Sequence, residues 1–307
     1  MGFADELTAG LQARPRAVAP KWFYDAAGSA LFERICDLPE YYPTRTEFAL
    51  LDRHAEAMAA LIGPGAEIIE FGAGASRKVR VLLDALAGAR RFVPVDISGE
   101  HLAAAATRLR ADYPALEVQP VVADFTDAAA TLPAAVGRRI GFYPGSSIGN
   151  FDPDEAQRLL QRFAGWLDGG GLLVGVDLVK DPALLHAAYN DAEGVTAAFN
   201  LNLLARANRE LGADFDLAGW AHCAFYNPPA SRIEMHLMSR RAQSVRFGGR
   251  RFDFAEGDSV HTENSYKYTV EGFQALARGA GWSPRQTWVD AARRFSIHWL
   301  EARGEQR

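Results

Sequence analysis

Residues 66–96 read AEIIEFGAGASRKVRVLLDALAGARRFVPVD, and this stretch decides the fold. AEIIEF (66–71) is a short apolar run that ends at glycines, the pattern of a buried strand. RKVRVLLDAL (77–86) carries its apolar residues at helical period, and RRFVPVD (90–96) is a second strand. Strand, helix and strand with short connections predict parallel strands covered by helices.

The alternation continues outward. GEHLAAAATRLRADY (99–113) reads as a helix, LEVQPVVAD (116–124) and RRIGFYPG (138–145) as strands, 153–166 as a helix and GGLLVGVDLV (170–179) as a strand. Right-handed crossovers then give a doubly wound α/β fold. The pattern stops near 180, where residues 184–212 read as helical and RIEMHLMS (232–239), SVRF (244–247) and RFDF (251–254) as antiparallel strands. From 269 it returns with a helix, VEGFQALARGAG, and the closing strands QTWVD and RRFSIHWLEA. Upstream, residues 20–45 predict a short helix between Pro-bounded loops, with Leu31, Phe32 and Ile35 on its apolar stripe, and 46–62 predict a second. The expected organisation is an α/β domain over 46–179 and 268–307, with an inserted α+β unit over 180–267 that residues 1–45 join.

A chain of 307 residues hides roughly three quarters of its unfolded surface and needs no staples. Cys36 and Cys223 are too few for a disulfide framework and lack C-x-x-C spacing. A net charge of −5 argues against general nucleic-acid binding. No run of 18 apolar residues spans a membrane, and the acidic start MGFADELTAG lacks a signal-peptide pattern. Glu6 stands where a myristoylation signal wants Ser or Thr, so a cytoplasmic protein is expected. Of 33 basic residues only four are lysines: Lys21, Lys78, Lys180 and Lys267. If drift toward Arg is the background, these positions point to sites that need a compact ammonium.

The glycines of Glu70-Phe71-Gly72-Ala73-Gly74-Ala75-Ser76-Arg77 let the backbone turn sharply and approach a ligand at the end of the first strand. A nicotinamide-dinucleotide fold wants a third glycine where Arg77 stands. The acidic Glu70 and the missing glycine instead resemble S-adenosylmethionine sites. Asp96, at the end of the second strand, can accept both ribose hydroxyls, although a helix N-cap is its plainer role. Asp124 and Phe125, at the end of the third, can meet an adenine edge and face. The seven histidines show no H-x-x-x-H spacing, and none reads as a metal ligand.

The segments PKWFYDAAGSALFERICDLPEYYPTRTE, FGAGASRKVRVLLDAL, GSSIGNF, DLVKDPALLHAAYND, GVTAAFNLNLLARANRELGADFDL, RIEMHL and TENSYK resemble the histidine Nα-methyltransferases of ergothioneine biosynthesis. The resemblance covers nearly the whole chain. It implies a class I, Rossmann-like methyltransferase core with a substrate-binding insert, and S-adenosylmethionine-dependent trimethylation of the α-amine of L-histidine to hercynine. It also implies that Gly72, Lys78, Asp96, Asp124 and Phe125 hold the cofactor, with Lys78 reaching its carboxylate. On pattern alone Lys78 would be a helix residue facing water.

Substrate residues carry over onto Tyr41, Asn150, Tyr189, Glu263 and Ser265, with Tyr24 near the amine. Asn150, just past the fourth strand, can orient the amino acid's charged ends. Tyrosine hydroxyls can bind the carboxylate. Glu263 and Ser265, two apart on one strand, can hold both imidazole nitrogens. The plainer alternatives make Tyr24, Tyr41 and Tyr189 core residues and pair Glu263 with Lys267. The G-A-G-A loop departs from the family's hydroxyl-bearing form. Other functional readings are an amine methyltransferase of different substrate and a non-catalytic cofactor-binding protein; Arg77 argues against a nicotinamide enzyme. No obligate protein partner is implied, and a monomer is expected.

Overall fold

Two compact units make up the computed structural model, which describes residues 2–302: Met1–Tyr42 with Asp181–Ser265, and Pro43–Lys180 with Tyr266–Arg307. The borders expected after residues 45, 179 and 267 fall after 42, 180 and 265. Residues 303–307 of the expected core lie outside the described residues.

Along the chain run strands β1 (Glu67–Phe71), β2 (Arg91–Asp96), β3 (Glu117–Val118), β4 (Val121–Val122), β5 (Arg139–Tyr143), β6 (Gly171–Asp177), β7 (Trp220–Asn227), β8 (Arg232–Ser239), β9 (Gln243–Phe247), β10 (Arg250–Phe254), β11 (Ser259–Tyr266), β12 (Trp282–Val289) and β13 (Phe295–Ala302). In the second unit one sheet has the order β12-β13-β6-β5-β1-β2-β3, with β4 also beside β2. β1 is parallel to β2 and β5, and β5 to β6; β13 runs antiparallel between β6 and β12.

Every residue of β1 and β6 is buried, as continuous apolar runs require when both faces are covered. Pleating sends Ile68, Phe92 and Phe142 into one core with Leu51 and Met58 of the Tyr42–Ile62 helix. Ile69, Val93 and Tyr143 enter the other, with Leu160 and Phe163 of the Pro153–Leu167 helix. The winding reverses at β1, with β2 on one side and β5 on the other. In doubly wound sheets such a reversal opens a crevice beyond the carboxyl ends of the strands. At the opposite end, buried Glu67 meets Arg91 at 2.5 Å and Arg139 at 3.4 Å, stitching β2, β1 and β5.

The first unit contains the three-stranded sheet β11-β8-β7, the hairpin β9–β10 and the helices Phe3–Gln12, Ala26–Asp37, Pro182–Tyr189 and Val195–Leu211. Buried Asn200 ties the last helix to all three strands of the sheet. Its Nδ2 donates to the His236 carbonyl and lies 2.9 Å from His222 Nδ1, while its Oδ1 accepts from Thr262 Oγ1 at 2.8 Å.

Two expected elements are broken, for identifiable reasons. The strand expected over 116–124 is two short pieces, because Pro120 has no N–H to give the ladder. Gln119 and Ala123 still donate to Phe92 and Asp96 carbonyls, so the segment stays on β2. The helix expected over 184–212 is two helices. Asp191 accepts the N–H groups of Val195 at 2.7 Å and Thr196 at 2.8 Å, and Gly194 adopts φ +72°. That carboxylate starts a new helix where the first would otherwise have continued. The Phe3–Gln12 helix and β7 were not anticipated, although Phe3, Leu7 and Leu11 carry a helical stripe. Among the described residues, no helix is long and apolar enough to cross a membrane.

His298 on β13 is fully buried, within hydrogen-bond range of Ser296 (2.9 Å) and Thr287 (3.2 Å), and burial pushes its pKa down to about 3. The folded protein therefore keeps the imidazole neutral, while the unfolded chain takes up a proton near pH 6.5. Stability from this group is complete above that value and is lost as pH falls, by about 2 kcal/mol between pH 7 and 5. Denaturant unfolding at both pH values should give a shallower pH dependence for His298→Gln than for the wild type. Equal slopes would refute it.

Candidate active site

At the carboxyl ends of β1, β2, β5 and β6 the sheet of the second unit gathers glycine turns and buried polar side chains. After β1 the chain passes through left-handed geometry at Gly72 (φ +70°), Gly74 (+49°) and Ser76 (+50°). Gly72 and Ala73 both donate to the Val95 carbonyl, folding the loop against β2. A Cβ at Gly72 would lie 3.8 Å from the Phe125 ring, so glycine keeps the space beside that ring clear.

Asp96 is held by two backbone donors: Gly74 N–H to Oδ2 at 2.9 Å and Ser98 N–H to Oδ1 at 2.8 Å. Each oxygen retains a lone pair, the requirement for receiving two vicinal hydroxyls. Asp124 Oδ1 accepts from the backbone and hydroxyl of Thr126, and the Phe125 ring stands edge-on to Phe71, Tyr143 and Phe163. Glu70 is buried, and its Oε2 has no hydrogen-bond partner among the described residues. Burial pushes its carboxyl well above the usual range, against the pull of Lys78. A buried polar oxygen without a partner fits a ligand that brings a donor to it.

Lys78 does not face water. Its ammonium lies 2.6 Å from Glu47, whose side chain is 1% exposed. Both Glu47 oxygens accept from the Gly145 N–H, at 3.1 and 2.9 Å. On β6, a Cβ at Gly175 would come within 2.0 Å of Glu47 Oε1, so only glycine admits this carboxylate. Sequence reasoning missed Glu47. The available signal was its place on the buried stripe of its helix with Leu50 and Leu51, where a carboxylate needs a reason.

After β5, Ser146 takes φ +58° and its Oγ accepts the Asp177 N–H at 2.8 Å. The one-turn 3₁₀ segment Ser147–Asn150 follows. A Cβ at Gly149 would be 2.7 Å from the Tyr266 carbonyl oxygen, so the turn rests on that backbone and carries a half-buried Asn150 at its end. Asp177 is buried between two ammonium groups, Lys180 and Lys267, the latter at 2.8 Å. Burial opposes its charge, but the two lysines hold its carboxyl below the usual range. Burial brings Lys180 down to about 8 despite Asp177. Lys267 pairs with Asp177. Lys21 meets Glu6 at 2.7 Å, so all four lysines form ion pairs with carboxylates.

In the first unit, residues from four separate segments converge. Tyr189 donates its hydroxyl to Ser265 Oγ at 2.7 Å, and its ring lies 6.4 Å from that of Tyr41. Phe32 stands edge-on to both Tyr41 and Tyr24. Burial pushes the Tyr41 hydroxyl well up, with Tyr189, Cys36, Glu263 and Tyr24 adding to it. Tyr24, Tyr41, Tyr189, Glu263 and Ser265 are therefore neighbours, and Glu263 and Ser265 are both buried. Gly72, Lys78, Asp96, Asp124, Phe125 and Asn150 belong to the second unit.

Residues 3–302 match the family described as histidine-specific, SAM-dependent methyltransferase. The chain belongs to this family. Among its relatives is a histidine N-alpha-methyltransferase of Mycolicibacterium smegmatis, 45% identical over 95% of this chain and 92% of that protein. Another, of Mycobacterium tuberculosis, is 42% identical over the same shares. Ergothioneine biosynthesis protein 1 of Neurospora crassa is 31% identical over 93% of this chain but only 33% of its own length. As a histidine-specific methyltransferase family member, the chain is an S-adenosylmethionine-dependent enzyme, and the glycine loop, the Asp96 carboxylate and the Glu70 oxygen fit that cofactor.

The Glu47 slot makes a paired prediction. Gly175→Ala forces the carboxylate out of its slot and should cost about 1–3 kcal/mol in urea unfolding. Gly165, in the Pro153–Leu167 helix, has nothing within 4 Å of a Cβ, and Gly165→Ala should stabilise by about 0.5–1 kcal/mol. A neutral Gly175→Ala would contradict the packing described.

Proposed function

We propose that the protein trimethylates the α-amine of L-histidine, giving hercynine for ergothioneine biosynthesis. The observation that carries the reading is the buried Glu263–Ser265–Tyr189 cluster, found in a member of a histidine-specific family. An imidazole has one N–H and one lone pair, and a carboxylate beside a hydroxyl answers both. The residues of 43–180 and 266–302 serve as the cofactor unit, and those of 2–42 and 181–265 as the substrate unit.

S-adenosylmethionine supplies an electrophilic methyl group on a sulfonium, a leaving group that needs no acid. In this chain Lys78, braced by Glu47, would meet the cofactor's carboxylate; Asp96 would receive the ribose hydroxyls; Asp124 and Phe125 would meet the adenine; and Gly72 would keep the approach open. Asn150 orients the charged ends of the amino acid, and the Tyr41 hydroxyl binds its carboxylate, while the Tyr189 hydroxyl is given to Ser265. The amine must present a lone pair, so its proton leaves to water before it can accept a methyl group. Nearby positive charge lowers the amine's pKa and favours that loss. The ring faces of Tyr24 and Tyr41 attract the methylated ammonium by cation–π contact. Alignment and exclusion of water supply the rate.

Mass spectrometry of histidine incubated with the protein and S-adenosylmethionine should find up to three methyl groups, all on the α-amine. No methylated histidine, from protein that binds the cofactor by calorimetry, would defeat the proposal. Glu263→Ala and Ser265→Ala should each raise the KM for histidine roughly tenfold or more, the loss of a hydrogen bond to a charged or polar group, while cofactor affinity stays unchanged. Tyr24→Phe and Tyr41→Phe that left every methylation step unchanged would remove the hydroxyls from the mechanism.

A further inference from the structure

In the first unit, outside the substrate cluster, β8 and its neighbour β11 bring together Glu234, His236 and His261, each able to offer one ligand atom, all within 4.8 Å of one another. Glu234 and His236 are two apart on β8 and so share a face. Glu234 Oε2 lies 3.3 Å from His236 Nε2. That is about the edge of a tetrahedron whose metal–ligand bonds are ~2.0–2.1 Å, the lengths zinc makes with imidazole and carboxylate.

The other polar atoms of the three residues are already engaged. His261 Nε2 is 2.9 Å from Asn264 Oδ1, which leaves its Nδ1. Ser259 Oγ stands 3.4 Å from His236 Nδ1, which leaves its Nε2. Asn227 and Arg232 both donate to Glu234 Oε1 at 2.8 Å, which leaves Oε2. Outer partners of this kind fix tautomer and ring orientation in metal sites. The His236 and His261 rings are 5.0 Å apart, and Phe225 stacks on His236 at 5.4 Å, which restrains the ring and shields one side.

We propose that Glu234, His236 and His261 form a three-ligand site for a late first-row transition-metal ion, such as Zn²⁺, with a further position open to water. Two imidazoles and a carboxylate suit zinc, cobalt or nickel over magnesium or calcium, which need an oxygen shell. Arg232 on the same carboxylate strengthens this choice, because its positive charge penalises ions held by charge alone. Nothing in the proposal depends on methyl transfer. The site would join β8 to β11, the strand that carries Glu263 and Ser265.

The test uses the full-length, tag-free protein stripped with EDTA. Titration with Zn²⁺ followed by calorimetry should give one equivalent per chain, and Co²⁺ should give the visible absorption of a four- or five-coordinate ion. His236→Gln and His261→Gln, with circular dichroism confirming the fold, should each weaken Zn²⁺ binding roughly tenfold or more and abolish the cobalt spectrum. His186→Gln, outside the cluster, should change neither. The absence of a stoichiometric equivalent would overturn the proposal. So would binding that survives both substitutions, or a cobalt spectrum of purely octahedral, water-like form.

Discussion

A carboxylate buried inside a protein needs donors on both oxygens, and Glu47 has them. Isolated burial of such a charge costs several kcal/mol. The Gly145 N–H and the Lys78 ammonium meet both of its oxygens, and the missing side chain of Gly175 makes the room. Much of the carboxyl edge of the sheet follows from this arrangement. The turn after β5 carries a glycine with positive φ at 145, β6 carries a glycine in its interior, and a lysine stands at the N-cap of the helix after β1. The loop that carries Asn150 starts from that same glycine, so the substitutions it tolerates are set by a contact it does not itself make.

The lysines follow the same logic. Where Arg is the default cation, an ammonium persists at three buried carboxylate contacts at this edge: Lys78 on Glu47, and Lys180 with Lys267 on Asp177. A point charge with rotatable donors fits a crowded slot that a planar guanidinium does not. At the other end of the sheet Glu67 takes two arginines, where a fork can span neighbouring strands.

The parallel core was legible because its strands are apolar runs cut by glycines and its helices keep a 3.6 period. The elements that were misread are those where a single residue overrides the period, Pro120 by lacking a donor and Asp191 by capping a new helix. Asp96, Asp124 and the glycines could be read from their places at strand ends. Tyr24, Tyr41, Tyr189, Glu263 and Ser265 could not, since four distant segments meet only after folding, and the family likeness alone named them. Glu47 escaped because a carboxylate on an apolar stripe looks like noise until its partners are known. The Glu234–His236–His261 group shows no helical ligand spacing, because its residues sit on two adjacent strands.

Asp177 has one more consequence. Lys180 is the last residue before the chain leaves the sheet-bearing unit, and Lys267 is the second after it returns. One carboxylate grips both, and the backbone beside it is laced by hydrogen bonds from Tyr268 N–H to Asp177 and from Val179 N–H to Tyr268. To the sheet, residues 181–265 are a loop whose two ends are already fastened. The entropy of closing such a loop grows only with the logarithm of its length, by about 0.6 kcal/mol per doubling. The sheet therefore bears little of the entropic cost of the insert's length, because the clasp at Asp177 has already brought its two ends together.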